Sequence, residues 1–178
     1  MRLIDYVRWL FVLSAVVACA GGQKKIFISQ PDMQHASNAA FEVKIRPLKL
    51  NNPYYVAFEL ILRNKSSKPL SIDWNKTRYV HNDVDQGRFA FEGISAEEVK
   101  SGISPEWVAS GETLSKTIAP MKTIGFLRGN DVPGQGQSNF FAGILPDGRN
   151  SVALMITQGD RQWTETLTFR LVTQQLPK

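Results

Sequence analysis

The chain has 178 residues, a formal net charge of +5 and a hydrophobic content of 43%. This length and composition predict one globular domain with an ordinary hydrophobic core and exclude a compositionally disordered chain. The positive charge is mild and spread along the sequence, so we expect no nucleic-acid partner, which would need clustered basic residues with interleaved aromatics. Cys19 is the only cysteine, so no internal disulfide supports the fold.

The first residues have the organisation of an export signal. Arg2 and Arg8 flank a short polar start, and Trp9 to Val17 is apolar apart from Ser14. A helix needs about twenty apolar residues to cross a bilayer. Because this stretch is roughly half that length, it predicts a signal sequence and not a permanent span.

The end of the leader, Val16-Val17-Ala18-Cys19, resembles the lipobox of bacterial lipoproteins. The resemblance implies that residues 1–18 are a signal peptide cleaved before Cys19, whose sulfur then carries a diacylglycerol. Several acyl chains give a stable membrane anchor. The residue after the cysteine is not aspartate, which by the same resemblance favours the outer membrane facing the periplasm. The alternative is an ordinary secretory signal with a chance cysteine.

Residues 19–36 are interpreted as the lipidated cysteine and a flexible tether, and residues 37–178 as a single domain. Residues 41–46 alternate apolar and charged side chains, which predicts a strand. Pro47 places that strand at a sheet edge or at a strand break. Residues 55–63 predict a stronger strand, whose inward side chains are Val56, Phe58, Leu60 and Leu62.

After a polar turn at residues 64–69, the spacing of Leu70, Ile72 and Trp74 predicts inward side chains, with Trp74 in the core. Ser95 and Glu98 form a capping box, so residues 95–101 predict a helix of one or two turns. A turn at residues 158–161 separates the last two predicted strands. The other strand candidates are Thr77–His81, Arg88–Ile94, Glu112–Ile118, Lys122–Leu127, Asn139–Leu145, Ser151–Thr157 and Gln162–Thr173.

Many short strands separated by turn residues predict an all-β fold, an antiparallel β-sandwich. The run from Leu60 to Trp74 resembles a pattern in immunoglobulin-like domains of bacterial lipoproteins. In that pattern a strand ends in Asn-x-Ser/Thr, a polar turn leads to proline, and a strand with an inward aromatic follows. The resemblance extends over most of residues 55–172 and implies an immunoglobulin-like sandwich. It implies no particular activity, because most families that carry the pattern are uncharacterised.

Few residues suit catalysis or metal binding. His81 lies near Asp83 and Asp85, but no serine occupies a nucleophile elbow, so we interpret His81 as an edge-strand residue beside a turn. Residues 81–87 offer oxygen atoms at alternate positions but lack the remaining ligands of a calcium loop. His35 lies in the predicted tether. We therefore expect no enzyme activity, no catalytic residues, no metal and no cofactor.

Two further segments have composition typical of turns and loops. Asn64-Lys65-Ser66 and Asn75-Lys76-Thr77 match the glycosylation sequon, but after a lipobox we interpret these asparagines as turn residues that bond to the backbone. Residues 129–138 contain three glycines and a proline, and we expect a surface loop that is a candidate for recognition.

The expected function is a lipid-anchored binding or structural module of the cell envelope. Such a module contacts the membrane through its lipid and binds another envelope protein through end loops or an open sheet edge. The sequence does not identify the binding residues. The alternative is a carbohydrate-binding domain or an envelope hydrolase that uses surface aromatics such as Trp107 and Trp163. Exposed aromatics clustered on one sheet face would favour sugar binding.

Overall fold

The computed structural model describes residues 24–126 and 140–176. The leader, the lipidation candidate Cys19 and the whole of the predicted recognition loop at residues 129–138 lie outside these ranges. Within them, no helix is long and apolar enough to cross a membrane.

The larger sheet has seven strands and is built on one long hairpin. Its strands are β1 (Lys25–Gln30), β5 (Leu70–Ile72), β6 (Arg78–His81), β7 (Val84–Gly87), β9 (Glu106–Val108), β13 (Gly148–Gln158) and β14 (Arg161–Gln175). β13 and β14 form the hairpin, and β1 pairs with the far side of β14. On the other side of β13, β6 and β5 pair with successive parts of that strand. β7 then extends the sheet from β6, and β9 extends it from β5.

The smaller sheet has five strands in the order β2-β3-β4-β10-β8. They are β2 (Gln34–Ser37), β3 (Phe41–Leu48), β4 (Ala57–Asn64), β8 (Phe89–Phe91) and β10 (Thr113–Pro120), and all pairings are antiparallel. The remaining elements are a separate hairpin, a short helix and a 3-10 turn: β11 (Ile124–Phe126) with β12 (Phe140–Ala142), α1 (Ala96–Ser101) and Met121–Thr123.

The two large sheets pack face to face around one hydrophobic core. Alternate residues of the paired strands point inward, as the period of two requires. They include Phe41, Val43 and Ile45 of β3, Phe58, Leu60 and Leu62 of β4, Val152, Leu154 and Ile156 of β13, and Leu167, Phe169 and Leu171 of β14. The predicted antiparallel β-sandwich is therefore confirmed. The immunoglobulin-like assignment stays a prediction.

Two local predictions are also confirmed, and one is wrong. Trp74 is buried, with 1% of its surface exposed. Ser95 and Glu98 form the expected capping box at the start of α1. The predicted sheet edge or strand break at Pro47 is wrong, because β3 lies between β2 and β4 and continues to Leu48. Pro47 is tolerated because it lies beyond the last pair with β2, so its missing N–H costs no hydrogen bond on that side.

The predicted flexible tether is wrong over most of its length. Residues 25–30 form β1, and residues 34–37 form β2, so the sandwich begins at Lys25 and not at residue 37. β1 is ordered because all six of its residues pair with β14. The Phe27 ring also packs edge-on against Tyr54, with centroids 5.9 Å apart. His35 consequently lies in a strand, where its Nε2 is 3.3 Å from Glu42.

Candidate functional site

The residues around His81 are directed to separate partners. His81 Nε2 lies 2.9 Å from the carbonyl oxygen of Asp147. The Asp83 carboxylate pairs with the Arg149 guanidinium. Asp85 forms a different ion pair, in which its Oδ2 is 3.4 Å from the guanidinium of Arg78. These contacts do not assemble a histidine with a carboxylate orienter. His81 lies beside a turn, as predicted, but the predicted edge strand is wrong, because β6 pairs with β13 on one side and with β7 on the other.

Turn geometry accounts for the oxygen-rich segment at residues 81–87. Asn82 and Asp83 have φ of +48° and +66° and reverse the chain between β6 and β7. Asn and Asp tolerate this left-handed region better than most residues. Asp85 Oδ1 accepts from the amide of Gly87 at 2.7 Å. Across the described ranges, no group of three or more His, Cys, Asp or Glu side chains is placed to hold a metal ion.

Asn64 and Asn75, the asparagines of the two sequons, are structural, as the sequence indicated. Asn64 is fully buried at the end of β4, and its Nδ2 donates to the carbonyl oxygens of Lys68 and Val108 at 2.8 and 3.0 Å. Asn75 binds both backbone groups of Ile103, with Nδ2 donating at 2.7 Å and Oδ1 accepting at 2.9 Å. Both side chains therefore fix loops to the sandwich.

Trp107 and Trp163 lie on opposite faces of the seven-stranded sheet. Trp107 is on β9 and is 66% exposed on the solvent face. Trp163 is half-buried on the core side, where its ring packs edge-on against Phe41 with centroids 5.5 Å apart. The two rings therefore cannot form one platform for a sugar chain.

β9 is an edge strand that displays Trp107 beside a pair of hydroxyl groups. Among the described strands it pairs only with β5, where Trp107 lies opposite Ser71. Ser71 in turn lies opposite Thr157 of β13, and their hydroxyl oxygens are 2.6 Å apart. We call Trp107 and Thr157 the Trp107 surface; Ser71 lies buried between them, with 3% of its surface exposed.

Two sets of contacts, one partly buried and one buried, hold β9 in place. Glu106 Oε2 accepts from Trp74 Nε1 at 3.0 Å and lies 2.6 Å from Lys116 Nζ. Lys116 belongs to β10, so this interaction ties β9 across the sandwich to the other sheet. The carbonyl of Val108 is bound by the Asn64 amide. Trp107 is therefore an exposed ring whose two neighbours in the strand, Glu106 and Val108, are both bonded to the rest of the sandwich.

The structure also has a concave surface that was not predicted from the sequence. It is a pocket of about 420 Å³ on the seven-stranded sheet, lined by Gln30, Asn82, Gly148, Arg149, Thr168 and Arg170. Arg149 and Arg170 are directly opposite each other in the hairpin of β13 and β14. The sequence did contain a signal for this pair. A two-residue turn at Gly159-Asp160 fixes the hairpin register and hence places these two arginines together.

No known protein-family model matches this chain, and no curated protein matches it in sequence. The function is therefore argued from the geometry of the surfaces described above.

Proposed function

We propose that the protein is a lipid-anchored, non-catalytic module of the bacterial cell envelope that binds another envelope protein through the Trp107 surface. The observation that carries this proposal is the 66% exposure of Trp107 on an edge strand that is otherwise rigidly held. Tryptophan is among the residues that most often dominate protein–protein binding energy, and it does so near the centre of a contact.

The support around Trp107 favours binding because it reduces the entropy lost on association. Glu106 is fixed by Trp74 and Lys116, and Val108 is fixed by Asn64. A side chain held on a preformed strand loses less conformational freedom than one on a mobile loop. A free edge also offers backbone groups to an extended segment of the partner, which is a common mode of strand addition.

The membrane part of the proposal comes from the leader. Val16-Val17-Ala18-Cys19 has the form of a lipobox, and the described sandwich begins at Lys25, only six residues after the cysteine. An extended chain spans at most about 3.6 Å per residue, so the domain would lie close to the bilayer surface. By the same lipobox resemblance the protein faces the periplasm from the outer membrane, and an immunoglobulin-like sandwich would suit such a scaffolding role.

Photocrosslinking tests the binding surface. With p-benzoylphenylalanine in place of Trp107, we expect irradiation of cells to give one dominant crosslinked envelope protein, identified by mass spectrometry. The matched control carries the same probe at Thr166, which is exposed on the same sheet face on β14. We expect at least a fivefold weaker product there. Equal products at both positions, or none at Trp107, would contradict the proposal.

A variant separates binding from folding. Trp107→Ala should remove the crosslinking partner from gently solubilised membranes but leave the melting temperature nearly unchanged, because most of the ring is already exposed. If Trp107→Ala instead weakens binding to a purified cell-wall glycan and leaves protein partners in place, the surface is a carbohydrate site.

Replacing Cys19 tests the anchor. Cys19→Ala should abolish incorporation of labelled fatty acid and leave an uncleaved precursor, because the cysteine sulfur receives the first lipid in the lipoprotein pathway that the leader resembles. Fatty-acid labelling followed by gel electrophoresis measures both effects, and Ser14→Ala in the same leader is the control. Equal labelling of wild type and Cys19→Ala would refute lipidation at this residue.

A further inference from the structure

We propose that the pocket between Arg149 and Arg170 binds an oxyanion, the carboxylate or phosphoryl group of a polar ligand. The pocket lies on the solvent face of the seven-stranded sheet, and its lining includes a residue of β1, two of β14 and two of β13. It is distinct from the Trp107 surface, so this inference does not depend on the partner protein.

Strand register brings the polar side chains of the pocket into one row. Arg170 of β14 lies opposite Arg149 of β13 on one side and opposite Gln30 of β1 on the other. Asn82 continues the row, since its amide donates to the carbonyl of Arg149 at 2.8 Å. Asn150, Phe169 and Leu171, which are next to the two arginines in their strands, are buried in the sandwich. The arginines therefore project outward together.

The row carries more positive charge than its carboxylates neutralise. Like charges directly opposite each other on a sheet destabilise the pair. Asp83 pairs with Arg149. Within the described residues, no carboxylate lies within 4 Å of the Arg170 side-chain nitrogens. Asp147, the nearby acid at the start of the hairpin, accepts hydrogen bonds from the amide and hydroxyl of Thr173 at 3.1 and 2.8 Å and, among the described residues, forms no ion pair with either arginine.

The other lining groups add hydrogen-bond donors. Asn82 Oδ1 accepts from the amide of Arg149 at 2.9 Å, which leaves the two N–H groups of its side-chain amide as donors. The Thr168 hydroxyl shares a hydrogen bond with Ser151 at 2.8 Å, and Gln30 is exposed at the rim. Guanidinium, amide and hydroxyl groups together match the acceptor-only chemistry of an oxyanion.

Gly148 keeps the pocket open. It has φ of +113°, and a Cβ atom at this position would lie 2.7 Å from Asn82 Oδ1. Any other residue here would therefore displace the Asn82 side chain from the row. The pocket volume of about 420 Å³ is within the range of small-molecule sites, so the pocket has room for a ligand larger than a bare oxyanion.

The test measures anion-dependent thermal stabilisation of the detergent-solubilised full chain. Sodium phosphate and sodium acetate are titrated separately, with sodium chloride at equal ionic strength as the reference. We expect phosphate, acetate or both to raise the melting temperature above the chloride reference in a saturable way. Stronger binding of phosphate identifies a phosphoryl ligand, and stronger binding of acetate identifies a carboxylate ligand. Identical curves in all three salts would overturn the proposal.

Two arginines of the same strand provide the variant and its control. Arg170→Gln should weaken binding of the favoured anion at least tenfold, whereas Arg161→Gln, at the exposed start of β14 and outside the pocket, should change it less than twofold. In chloride, Arg170→Gln should be as stable as wild type or more stable, because a like-charge pair is removed. Equal anion binding by wild type and Arg170→Gln would refute the site even if the protein is stabilised by phosphate.

Discussion

Trp74→Ala should lower the free energy of unfolding by about 3–5 kcal/mol, as truncations of large core residues do. Trp74 is 1% exposed and lies between the two sheets. Its ring packs against Phe91 of β8 with centroids 4.7 Å apart, and the Lys116 ammonium lies 5.7 Å from its centroid. Alanine would leave a cavity that strands on both sides of the core cannot fill without moving.

Part of this loss comes from the hydrogen bond of the indole. Trp74 Nε1 donates to Glu106 Oε2, so truncation also loosens the link between β9 and Lys116. Trp74→Phe, which keeps an aromatic ring but lacks the N–H donor, should therefore have an intermediate stability. Urea denaturation followed by circular dichroism measures all three proteins.

Trp107→Ala is the matched control for Trp74→Ala. Both substitutions remove an indole, but Trp107 is 66% exposed and should change the free energy of unfolding by less than about 0.5 kcal/mol. A Trp74→Ala protein with the denaturation midpoint of wild type would show that the ring does not support the core. Because typical domains have only about 5–15 kcal/mol of stability, the expected loss is a large share of the total.

A strand is most easily predicted where one of its faces is buried and the other is not. In β3, buried Phe41 and Val43 alternate with the more accessible Glu42 and Lys44, so the period of two is visible in the sequence. The helix was also predictable, because a capping box depends only on the local residues Ser95 and Glu98.

The strands that were missed lack this local pattern. In β1 the run Ile26-Phe27-Ile28 is half-buried on both faces, so no alternation marks it, and its order comes from pairing with a strand about 145 residues later. β7 has only one strand-forming residue, Val84, and β9 has only three residues. Both exist because a neighbouring strand offers an edge, which is a property of the assembled sheet.

The sequence predicted some features of the Trp107 surface and of the arginine pocket but not others. Trp107 was identified as a surface aromatic, and its exposure confirms that expectation. Trp163 was assigned in the same way, but it packs against Phe41, because its register opposite buried Ile156 turns it inward. The pairing of Arg149 with Arg170 follows from a local turn, whereas the approach of Gln30 depends on β1, which the sequence did not reveal.

The largest effect of a single isosteric change is expected at Asn64. Its Nδ2 donates to the carbonyl oxygens of Lys68 and Val108, and its Oδ1 accepts from the amide and hydroxyl of Ser66 at 2.9 and 2.8 Å. Asn64→Asp places an acceptor oxygen against both carbonyls in a fully buried site. An uncompensated buried charge costs about 3–5 kcal/mol, so we expect a loss of that size at neutral pH.

The stability that Asn64→Asp loses should increase as the pH rises. Burial raises the pKa of the new carboxyl in the folded protein above the value of about 3.9 in an unfolded chain. The variant is therefore most stable below about pH 4, where the neutral acid donates one hydrogen bond, and it loses stability as the pH rises towards the folded pKa.

Asn51→Asp is the control, because it adds the same charge at an exposed loop residue. The difference in free energy of unfolding between the two variants should widen by at least 2 kcal/mol between pH 4 and pH 8. A constant difference across this range would contradict the prediction, because it would show that the new carboxyl is hydrated or paired.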